Sequence, residues 1–457
     1  MMNSALAMTT SEIPWRHAVV LGLGASGFSS ARYLAKQNIT VEVQDSRERP
    51  PFRSALGDSC PEVAVRCGGF SSRCLDEADL LVVSPGISIL EPIVQEAMAR
   101  EIEVVGDIEL FARVCPAPVV AITGSNGKTT VTTLVGKMLE AAGAVVRVGG
   151  NIGNPALDLL GDAAADIYVL ELSSFQLETT RSLRPKASVI LNVSADHMDR
   201  YSDLAAYARA KRRILDNAEV VVLNRDDPIS GNFSVAEGTR RISFGLNAPA
   251  TQDDYGILSD ASGEWLACGG TKLAKVESLA MAGRHNVSNA LAALALVASA
   301  GYPPDREILT ALASFAGLPH RCEPVLEKEG ILWINDSKST NPGAAIAALS
   351  GMERPVVLIA GGQSKGADFE SLANAIQRYA RQVLLIGEDR MQLAAAIEDR
   401  VPVTLADDLA HAIRLAARWA QRGDAVLLSP ACASFDMFKN FEDRGDTFRR
   451  LVEELIA

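Results

Sequence analysis

The amino-acid sequence predicts an α/β protein with three domains, and three observations support this. The chain has 457 residues, and one domain per roughly 150 residues suggests about three domains, each able to bury its own core. Short Val, Ile and Leu runs alternate with helical patterns along most of the chain, which is typical of parallel sheets covered by helices. Breaks near residues 106 and 317 predict domains at 1–106, 107–317 and 318–457.

The predicted elements follow in order. In the first domain, strands fall at residues 17–24, 39–45, 78–86 and 102–106, with a helix at 26–36. The central domain starts with a strand at 118–123 and continues through VVRVGG, DIYVLEL, ASVILNV and EVVVLN. Residues 240–280 have the pattern of short antiparallel strands, and an alanine-rich helix follows at 286–300. The third domain alternates from residues 331–337 through PVVLIAGG, QVLLIGE and AVLLSP to a C-terminal helix.

Composition and charge argue against several classes of protein. The chain is 48% hydrophobic and 22% charged, as in ordinary globular proteins. Its net charge of −12 disfavours nucleic acid or an anionic membrane as a partner. The longest apolar stretch, residues 290–300, is too short to span a membrane. The N-terminus lacks the basic region of a signal peptide, so we expect a cytoplasmic protein.

The seven cysteines are scattered and form no CxxC pair. Cys60, Cys67 and Cys74 are evenly spaced, which leaves a metal site open as an interpretation. No histidine is nearby, and zinc ligands usually occur about two to four residues apart, so reduced cytosolic thiols are favoured.

The strongest local motif is TGSNGKTT at residues 123–130, between an apolar strand and a helix. The backbone N–H groups of such a loop bind phosphate, with Lys128 on the terminal phosphates and the Thr129 hydroxyl on Mg²⁺. A strict phosphate loop would have glycine where this chain has Ile122. The alternative is a glycine turn with a solvated lysine.

Three polar clusters follow other strands of the central domain. Glu171 ends an apolar strand and is suited to hold Mg²⁺, although it could be a solvated carboxylate. Asp196 and His197 follow the next strand, where a structural histidine is the alternative. Lys211, in the KRR run at residues 211–213, has the default interpretation of a solvated basic face.

The outer domains carry similar loops. NDSKSTNP at residues 335–342, GGQSKGADF at 361–369 and the Ser/Lys-containing stretch 429–445 each follow an apolar strand, and Lys338 suits an anionic group. Ordinary turn chemistry is the alternative. GLGASG at residues 22–27 fits G-x-G-x-x-G, with Asp45 where a dinucleotide fold places its ribose-binding acid. This motif fits NAD, FAD or another nucleotide diphosphate such as a UDP-sugar.

Together these motifs resemble the Mur ligase family from about residue 17 to the C-terminus. The family uses the shorter loop form GSNGKT, and GGNIG, LELSSFQLE, NVSADHMDRY, HNVSNALAALA, LPHRCE, NDSKSTN and SPACASFD are similar to its signatures. The NDSKSTN turn discriminates between members, and GLGASG is typical of those that add D-glutamate or L-alanine. Ala25 and Ser46 differ from the commoner Leu and Thr.

The resemblance implies a Rossmann-like UDP-binding domain, a central ATPase domain and a Rossmann-like amino-acid domain. It implies that ATP phosphorylates the carboxylate of UDP-N-acetylmuramoyl-L-alanine and that the amine of D-glutamate attacks the acyl phosphate, in peptidoglycan precursor synthesis. Positioning and charge neutralisation would supply the catalysis. The partners implied are these small molecules, and the chain is expected to be a monomer.

The resemblance also implies roles for individual residues. Catalysis falls to Lys128, His197, Lys211 and Asn151. ATP is bound by Gly124, Ser125, Asn126, Gly127, Lys128, Thr129, Thr130, Asn286, Asn289, Arg321 and Asp336. Two Mg²⁺ ions are held, one by Thr129 and Glu171 and the other by His197 and a carbamylated Lys211. The UDP-linked substrate contacts Ser26, Ser46, Arg47, Ser84, Gly86, Asn151 and His197. D-Glutamate contacts Lys338, Thr340, Lys365, Ser434 and Phe441.

Three alternatives remain open at this stage. A folylpolyglutamate synthetase would not need the N-terminal GLGASG domain. A dinucleotide-dependent oxidoreductase would use residues 22–27 but leaves NDSKSTN unexplained. A regulatory ATPase would hydrolyse ATP without an added amino acid.

Overall fold

A computed structural model describes residues 14–456 except positions 162, 199, 282, 353 and 365. Its contacts divide the chain into two compact units. The first consists of residues 1–116, 149–163 and 172–183, and the second of residues 117–148, 164–171 and 184–457. The predicted boundaries at 106 and 317 stay predictions. Within the described ranges, no helix has both the length and the apolar character that crossing a bilayer requires.

The first unit contains a parallel sheet in the order β3-β2-β1-β4-β5. Its strands are β1 (His17–Leu21), β2 (Thr40–Asp45), β3 (Ala64–Cys67), β4 (Leu80–Val83) and β5 (Glu103–Val105), and its helices are α1 (Ala25–Lys36), α2 (Arg53–Ser59), α3 (Pro92–Ala99) and α4 (Asp107–Val114). The strand order reverses between β1 and β4. In open parallel sheets, ligands bind beyond the carboxyl ends of the strands at such a point.

A mixed sheet in the order β14-β13-β12-β11-β10-β9-β6-β8-β7 follows. Its strands are β6 (Val119–Thr123), β7 (Val146–Gly150), β8 (Ile167–Glu171), β9 (Ala187–Ile190), β10 (Val220–Asn224), β11 (Arg240–Phe244), β12 (Tyr255–Asp260), β13 (Gly263–Cys268) and β14 (Thr271–Lys275). The helices are α5 (Lys128–Ala141), α6 (Ser174–Glu178), α7 (Leu204–Arg212), α8 (Arg284–Ser299) and α9 (Arg306–Ser314). Helix α6 belongs to the first unit. The alanine-rich α8 is buried against α5 and the strands β9 to β12.

One expectation for this sheet was partly wrong. Strands β12, β13 and β14 pair antiparallel as predicted. Strand β11, also predicted to be antiparallel, instead pairs in parallel with β10. Residues 225–239 connect the two strands, and a connection of that length allows the crossover that parallel strands need.

The third sheet has the order β15-β16-β20-β17-β18-β19. Its strands are β15 (Glu323–Lys328), β16 (Ile331–Asn335), β17 (Val356–Gly361), β18 (Ala380–Ile386), β19 (Val403–Leu405) and β20 (Ala425–Leu428), and its helices are α10 (Pro342–Ser350), α11 (Glu370–Tyr379), α12 (Arg390–Ile397), α13 (Leu409–Trp419) and α14 (Phe441–Leu455). The pairs among β16 to β20 are parallel. Strand β15, which the sequence pattern did not predict, adds an antiparallel edge through a tight turn at Glu329 and Gly330.

The glycine motif brings the N-terminus of α1 close to the carboxyl end of β1. Gly22 has a φ of +86°, which favours glycine. A Cβ on Gly27 would lie only 1.8 Å from the carbonyl oxygen of Gly22. The third glycine of the motif therefore permits the close packing of helix on strand.

We expect Gly27→Ala to lower the melting temperature, because backbone atoms must move to admit the methyl group, at a cost of about 1–3 kcal/mol. The matched control is Gly57→Ala in α2, where an added Cβ meets no atom within 4 Å. That change should stabilise the helix slightly. Calorimetric unfolding of both variants tests this expectation, and equal melting temperatures would contradict it.

Candidate active site

The predicted phosphate loop connects β6 to α5. Gly127 adopts a left-handed conformation with φ of +82° just before α5, and a Cβ there would meet the Asn289 side chain at 2.7 Å. The loop therefore turns sharply, and the N-terminus of α5 follows it directly. Free N–H groups at a helix N-terminus form an anion-binding site.

The loop after β9 holds the phosphate loop in shape. The Asn126 N–H donates to Asn192 Oδ1 at 2.8 Å, and Asn192 Nδ2 donates back to Asn126 O at 3.1 Å. Ser125 Oγ donates to Ser194 O at 2.9 Å and accepts from Ser194 N at 3.0 Å. These reciprocal bonds explain why a polar NVS segment follows an apolar strand.

Two lysine amines meet at a single carbonyl oxygen. Lys128 Nζ donates to Gly124 O at 2.9 Å and to Ser125 O at 3.0 Å. Lys211 Nζ donates to the same Gly124 O at 2.8 Å and lies 4.4 Å from the centroid of the Tyr207 ring. The interpretation of Lys211 as part of a solvated face is wrong, since only 1% of the residue is exposed.

Burial lowers the pKa of both lysines. For Lys211 the pKa falls well below its usual value, because burial disfavours the charged amine and Lys128 repels it. The carboxylates of Asp196 and Glu171 offset part of this effect. The surroundings of Lys211 therefore shift its protonation equilibrium toward the neutral amine.

Glu171 lies beside the phosphate loop, as predicted. It ends β8, is 2% exposed and faces Ile122 of β6 across the parallel pair. His197 is more open, with 41% of its side chain exposed, and it adopts a φ of +57°. Its ring centroid lies 6.4 Å from that of Tyr207, so Lys211 and His197 both contact one tyrosine.

Arg321 lies two residues before β15, and its side chain reaches the phosphate loop. Its Nη2 donates to Thr129 Oγ1 at 2.7 Å. The residues on either side, His320 and Cys322, have positive φ values of +62° and +46°. For non-glycine residues such conformations are costly and tend to occur at functional sites.

One cleft in the second unit collects many of the predicted ATP residues. It has a volume of about 890 Å³ and is open to solvent. Its lining includes Asn126, Gly127, Thr130, Asn286, Asn289, Arg321, Asp336 and Lys338. His285, which sequence analysis did not select, also lines the cleft, and burial lowers its pKa to about 4. The ring is therefore neutral at pH 7.

The NDSKST turn is fixed by buried polar contacts. Asp336 Oδ1 accepts from Cys322 N at 3.1 Å, and its Oδ2 accepts from Ser429 Oγ at 2.8 Å. Burial raises the pKa of Asp336 to about 6. Lys338 Nζ lies 3.7 Å from the centroid of the Phe441 ring. Burial and the nearby Arg321 lower its pKa to about 8, so it is mostly protonated at pH 7.

Two residues that tie these loops together were missed by sequence analysis. Arg444, 1% exposed, donates to Ser337 Oγ at 2.9 Å, to Ser337 O at 2.8 Å and to Cys432 O at 3.2 Å. It thereby connects the NDSKST turn to the SPACAS loop. Asn341 caps α10 and donates weakly to Asn126 Oδ1 at 3.4 Å and Asp196 Oδ2 at 3.3 Å. No local motif indicates either contact.

The other predicted D-glutamate residues lie along the same loops. The Thr340 N–H donates to Lys338 O at 2.8 Å, and the buried Ser434 accepts through its carbonyl from Phe438 N at 2.8 Å. Lys365 lies outside the described residues.

A second pocket, in the first unit, collects six predicted substrate residues. It is about 1060 Å³ in volume and lies beyond the glycine motif. The six are Ser26, Ser46, Arg47, Ser84, Gly86 and Asn151. Ser84 Oγ donates to Gly22 O at 2.9 Å, which anchors the glycine turn. The sequence motifs thus meet at the point where the strand order reverses.

Asp45, at the end of β2, accepts four hydrogen bonds. Its carboxylate accepts from Leu23 N at 2.6 Å and from the Arg47 backbone N–H at 2.8 Å. The Arg47 guanidinium adds bonds at 2.8 and 2.6 Å, and it lowers the pKa of Asp45 to about 2. A carboxylate has about four acceptor sites, and all four are used. Asp45 therefore positions Arg47, and a role for Asp45 in binding a ribose stays a prediction.

Three family models match this chain along most of its length. They are the Mur ligase MurD-like N-terminal domain at residues 16–106, the Mur ligase middle domain at 122–297 and the Mur ligase glutamate ligase domain at 320–432. A UDP-N-acetylmuramoylalanine–D-glutamate ligase from Nitrosococcus oceani is 48% identical over 446 residues, covering 96% of this chain and 97% of that protein. The chain belongs to the Mur ligase family.

Other similar proteins support the same family assignment. A protein from Pseudomonas fluorescens with the same name is 50% identical over 441 residues, covering 96% of this chain and 98% of its own length. The solved structure of the UDP-N-acetylmuramate-alanine ligase MurC from Thermotoga maritima has a TM-score of 0.57 at 19% identity, covering 96% of this chain and all of that one. At that identity the likeness shows the fold alone. The predicted three-domain α/β architecture and the resemblance are confirmed.

Proposed function

We propose that this Mur ligase adds D-glutamate to UDP-N-acetylmuramoyl-L-alanine at the expense of ATP, releasing ADP and phosphate. The relatives at 48% and 50% identity carry the name of that activity. The observation that carries the proposal is the shared cleft in the second unit. Phosphate-loop residues Asn126 and Gly127 line it together with Asp336 and Lys338 of the NDSKST turn. A phosphate donor and an amino acid can therefore be bound in one space.

The chemistry needs charge control more than a nucleophilic side chain. A carboxylate oxygen of the substrate attacks the γ-phosphorus of ATP, and the bond to ADP breaks. The neutral amine of D-glutamate then attacks the acyl carbon, inorganic phosphate leaves and the amine loses a proton. Each step brings anions together, so the fixed cations Lys128 and Arg321 lower the barrier by positioning and neutralisation.

The pocket of the first unit is the proposed site for the UDP-linked substrate. Arg47, held by Asp45, offers a guanidinium to a phosphate or a base carbonyl. Ser26, Ser46, Ser84 and the backbone at Gly86 offer further polar groups, and Asn151 is proposed to contact the muramoyl portion.

The side chains of this site supply part of the ligand set that Mg²⁺ needs. Thr129 and Glu171 offer the oxygen ligands that Mg²⁺ prefers, and Mg²⁺ usually takes its other ligands from substrate phosphates and water. Among the described residues, no group of three His, Cys, Asp or Glu side chains is placed to hold a metal. A bound Mg²⁺ would neutralise phosphate charge, and His197 with a carbamylated Lys211 is the proposed second set.

One assay tests the assignment directly. Phosphate release is measured with UDP-N-acetylmuramoyl-L-alanine and, in turn, D-glutamate, L-glutamate, L-alanine and D-alanine. We expect turnover with D-glutamate and with none of the other three amino acids. Equal turnover without an amino acid would instead identify a regulatory ATPase and overturn the proposal.

We expect Lys128→Ala to reduce phosphate release by about 100-fold or more, because it removes the cation at the phosphate loop. The matched control is Lys137→Ala. Lys137 lies on the same helix, and its amine contacts the Phe315 ring and not the loop. The control should retain normal turnover. A well-folded Lys128→Ala enzyme with near-normal rates would contradict the ATP site.

We expect Lys338→Ala and Lys365→Ala to raise the KM for D-glutamate, since each lysine is proposed to bind an anionic group. In the unaltered enzyme this KM should also rise as the pH increases through about 8, where Lys338 loses its proton. The rise should be absent in Lys338→Ala and should persist in Lys328→Ala, a surface control. A KM with no dependence on pH between 7 and 9.5 would argue against Lys338 as the anion-binding group.

We expect the buried Lys211 amine to react with CO₂, forming a carbamate and releasing one proton. Its lowered pKa supplies the neutral amine that this reaction needs. Lys211→Ala should lose most activity and recover part of it in added acetate, whereas Arg212→Ala should need no rescue, because Arg212 pairs with Asp216 at the surface. An unmodified Lys211 in a crystal with metal and nucleotide bound, or a fully active alanine variant, would refute this expectation.

A further inference from the structure

Asp107 is a buried acid that the proposed reaction does not use. It is the first residue of α4 in the first unit and is 1% exposed. Its Oδ2 accepts from Gln176 Nε2 at 3.1 Å, while Oδ1 has no hydrogen-bond partner among the described residues. Burial raises its pKa, and Gln176 and Ser26 offset part of that rise. Burying a carboxylate costs folding free energy, so stability alone does not account for it.

The Asp107 carboxylate faces an amide whose orientation is fixed. Gln176 Oε1 accepts from Ser173 N at 3.1 Å in the capping box of α6. A backbone N–H can only donate, so the oxygen of the Gln176 amide must lie on that side. The amide nitrogen consequently faces Asp107, which accepts one of its two hydrogens.

The Gln176 side chain lies at the substrate pocket. Gln176 and Ser26 both line the pocket that also contains Ser46, Arg47 and Asn151. We propose that Asp107 is a positioning residue for this pocket: by binding one hydrogen of the Gln176 amide, it holds the other in place for an oxygen of the UDP-linked substrate. This inference rests on the proposed function.

Substitutions can separate this role from simple packing of α4 against α6. Asp107→Leu removes the acceptor, whereas Asp107→Asn can still accept through its amide oxygen. The double variant Asp107→Asn/Gln176→Glu keeps the pair with donor and acceptor exchanged. Glutamate also serves in a capping box, so α6 keeps its cap. This double variant has no amide hydrogen at position 176 to offer the pocket.

The experiment measures the Kd of UDP-N-acetylmuramoyl-L-alanine by calorimetry on the full chain without ATP or D-glutamate, together with the melting temperature. We expect Asp107→Leu to weaken binding roughly tenfold and Asp107→Asn to bind nearly as the unaltered protein does. The double variant should regain the melting temperature but bind as weakly as Asp107→Leu. A purely structural role predicts that binding recovers with stability.

The matched control is Glu109→Gln in the same helix. Glu109 is equally buried and accepts from Arg181 N at 2.7 Å and Ser182 N at 2.9 Å, and it does not line the pocket. It should lose stability and keep its Kd. Equal weakening in Glu109→Gln, or full binding by the double variant, would overturn the inference and leave the proposed function intact. If the unaltered protein bound no UDP-linked substrate, both would be wrong.

Discussion

The meeting of two lysine amines at the Gly124 carbonyl sets the electrostatics of the phosphate loop. Lys128 and Lys211 donate to the same oxygen at 2.9 and 2.8 Å. Two ammonium groups that close would repel, and burial removes the water that could screen them. Burial and the charge of Lys128 accordingly lower the pKa of Lys211 well below its usual value. The amine of Lys128 is held by the carbonyl oxygens of Gly124 and Ser125.

A few side chains connect the phosphate loop to loops of the third sheet. Arg321 donates to Thr129, the residue next to Lys128, and Asn341 reaches Asn126 from the N-terminus of α10. The NDSKST turn, which contains Lys338, lies between these two residues in sequence. Direct contacts therefore connect the phosphate loop to the segments on either side of the turn proposed to bind D-glutamate. Arg444 fixes the far side of that turn.

Sequence motifs predicted the loops well but predicted few of the contacts between them. The alternation of strands and helices identified the α/β class, and GSNGKT, Glu171 and Lys338 lie at strand ends as expected. Local patterns did not indicate Arg444, Asn341 or Asp107, because each acts on residues far away in the chain. Pairing direction was equally hidden: β11 has an ordinary strand pattern, and only the crossover through residues 225–239 makes it parallel. The sequence also did not indicate that the Arg47 guanidinium, two residues later, donates to both oxygens of Asp45.

Because the net charge of the chain is −12, the cations that line the cleft are important for attracting an anion. An acidic chain repels anionic nucleotides at long range, so attraction must come from groups inside the site. Burial lowers the pKa values of Lys128, Arg321 and Lys338, and repulsion by neighbouring cations adds to this effect at Lys128 and Lys338, so the site destabilises its own positive charges. A bound anion would relieve that cost, and part of its binding free energy would then come from stabilising cations already in place. By linkage, an anion bound beside Lys338 would raise the pKa of this lysine from about 8 and so favour its charged form.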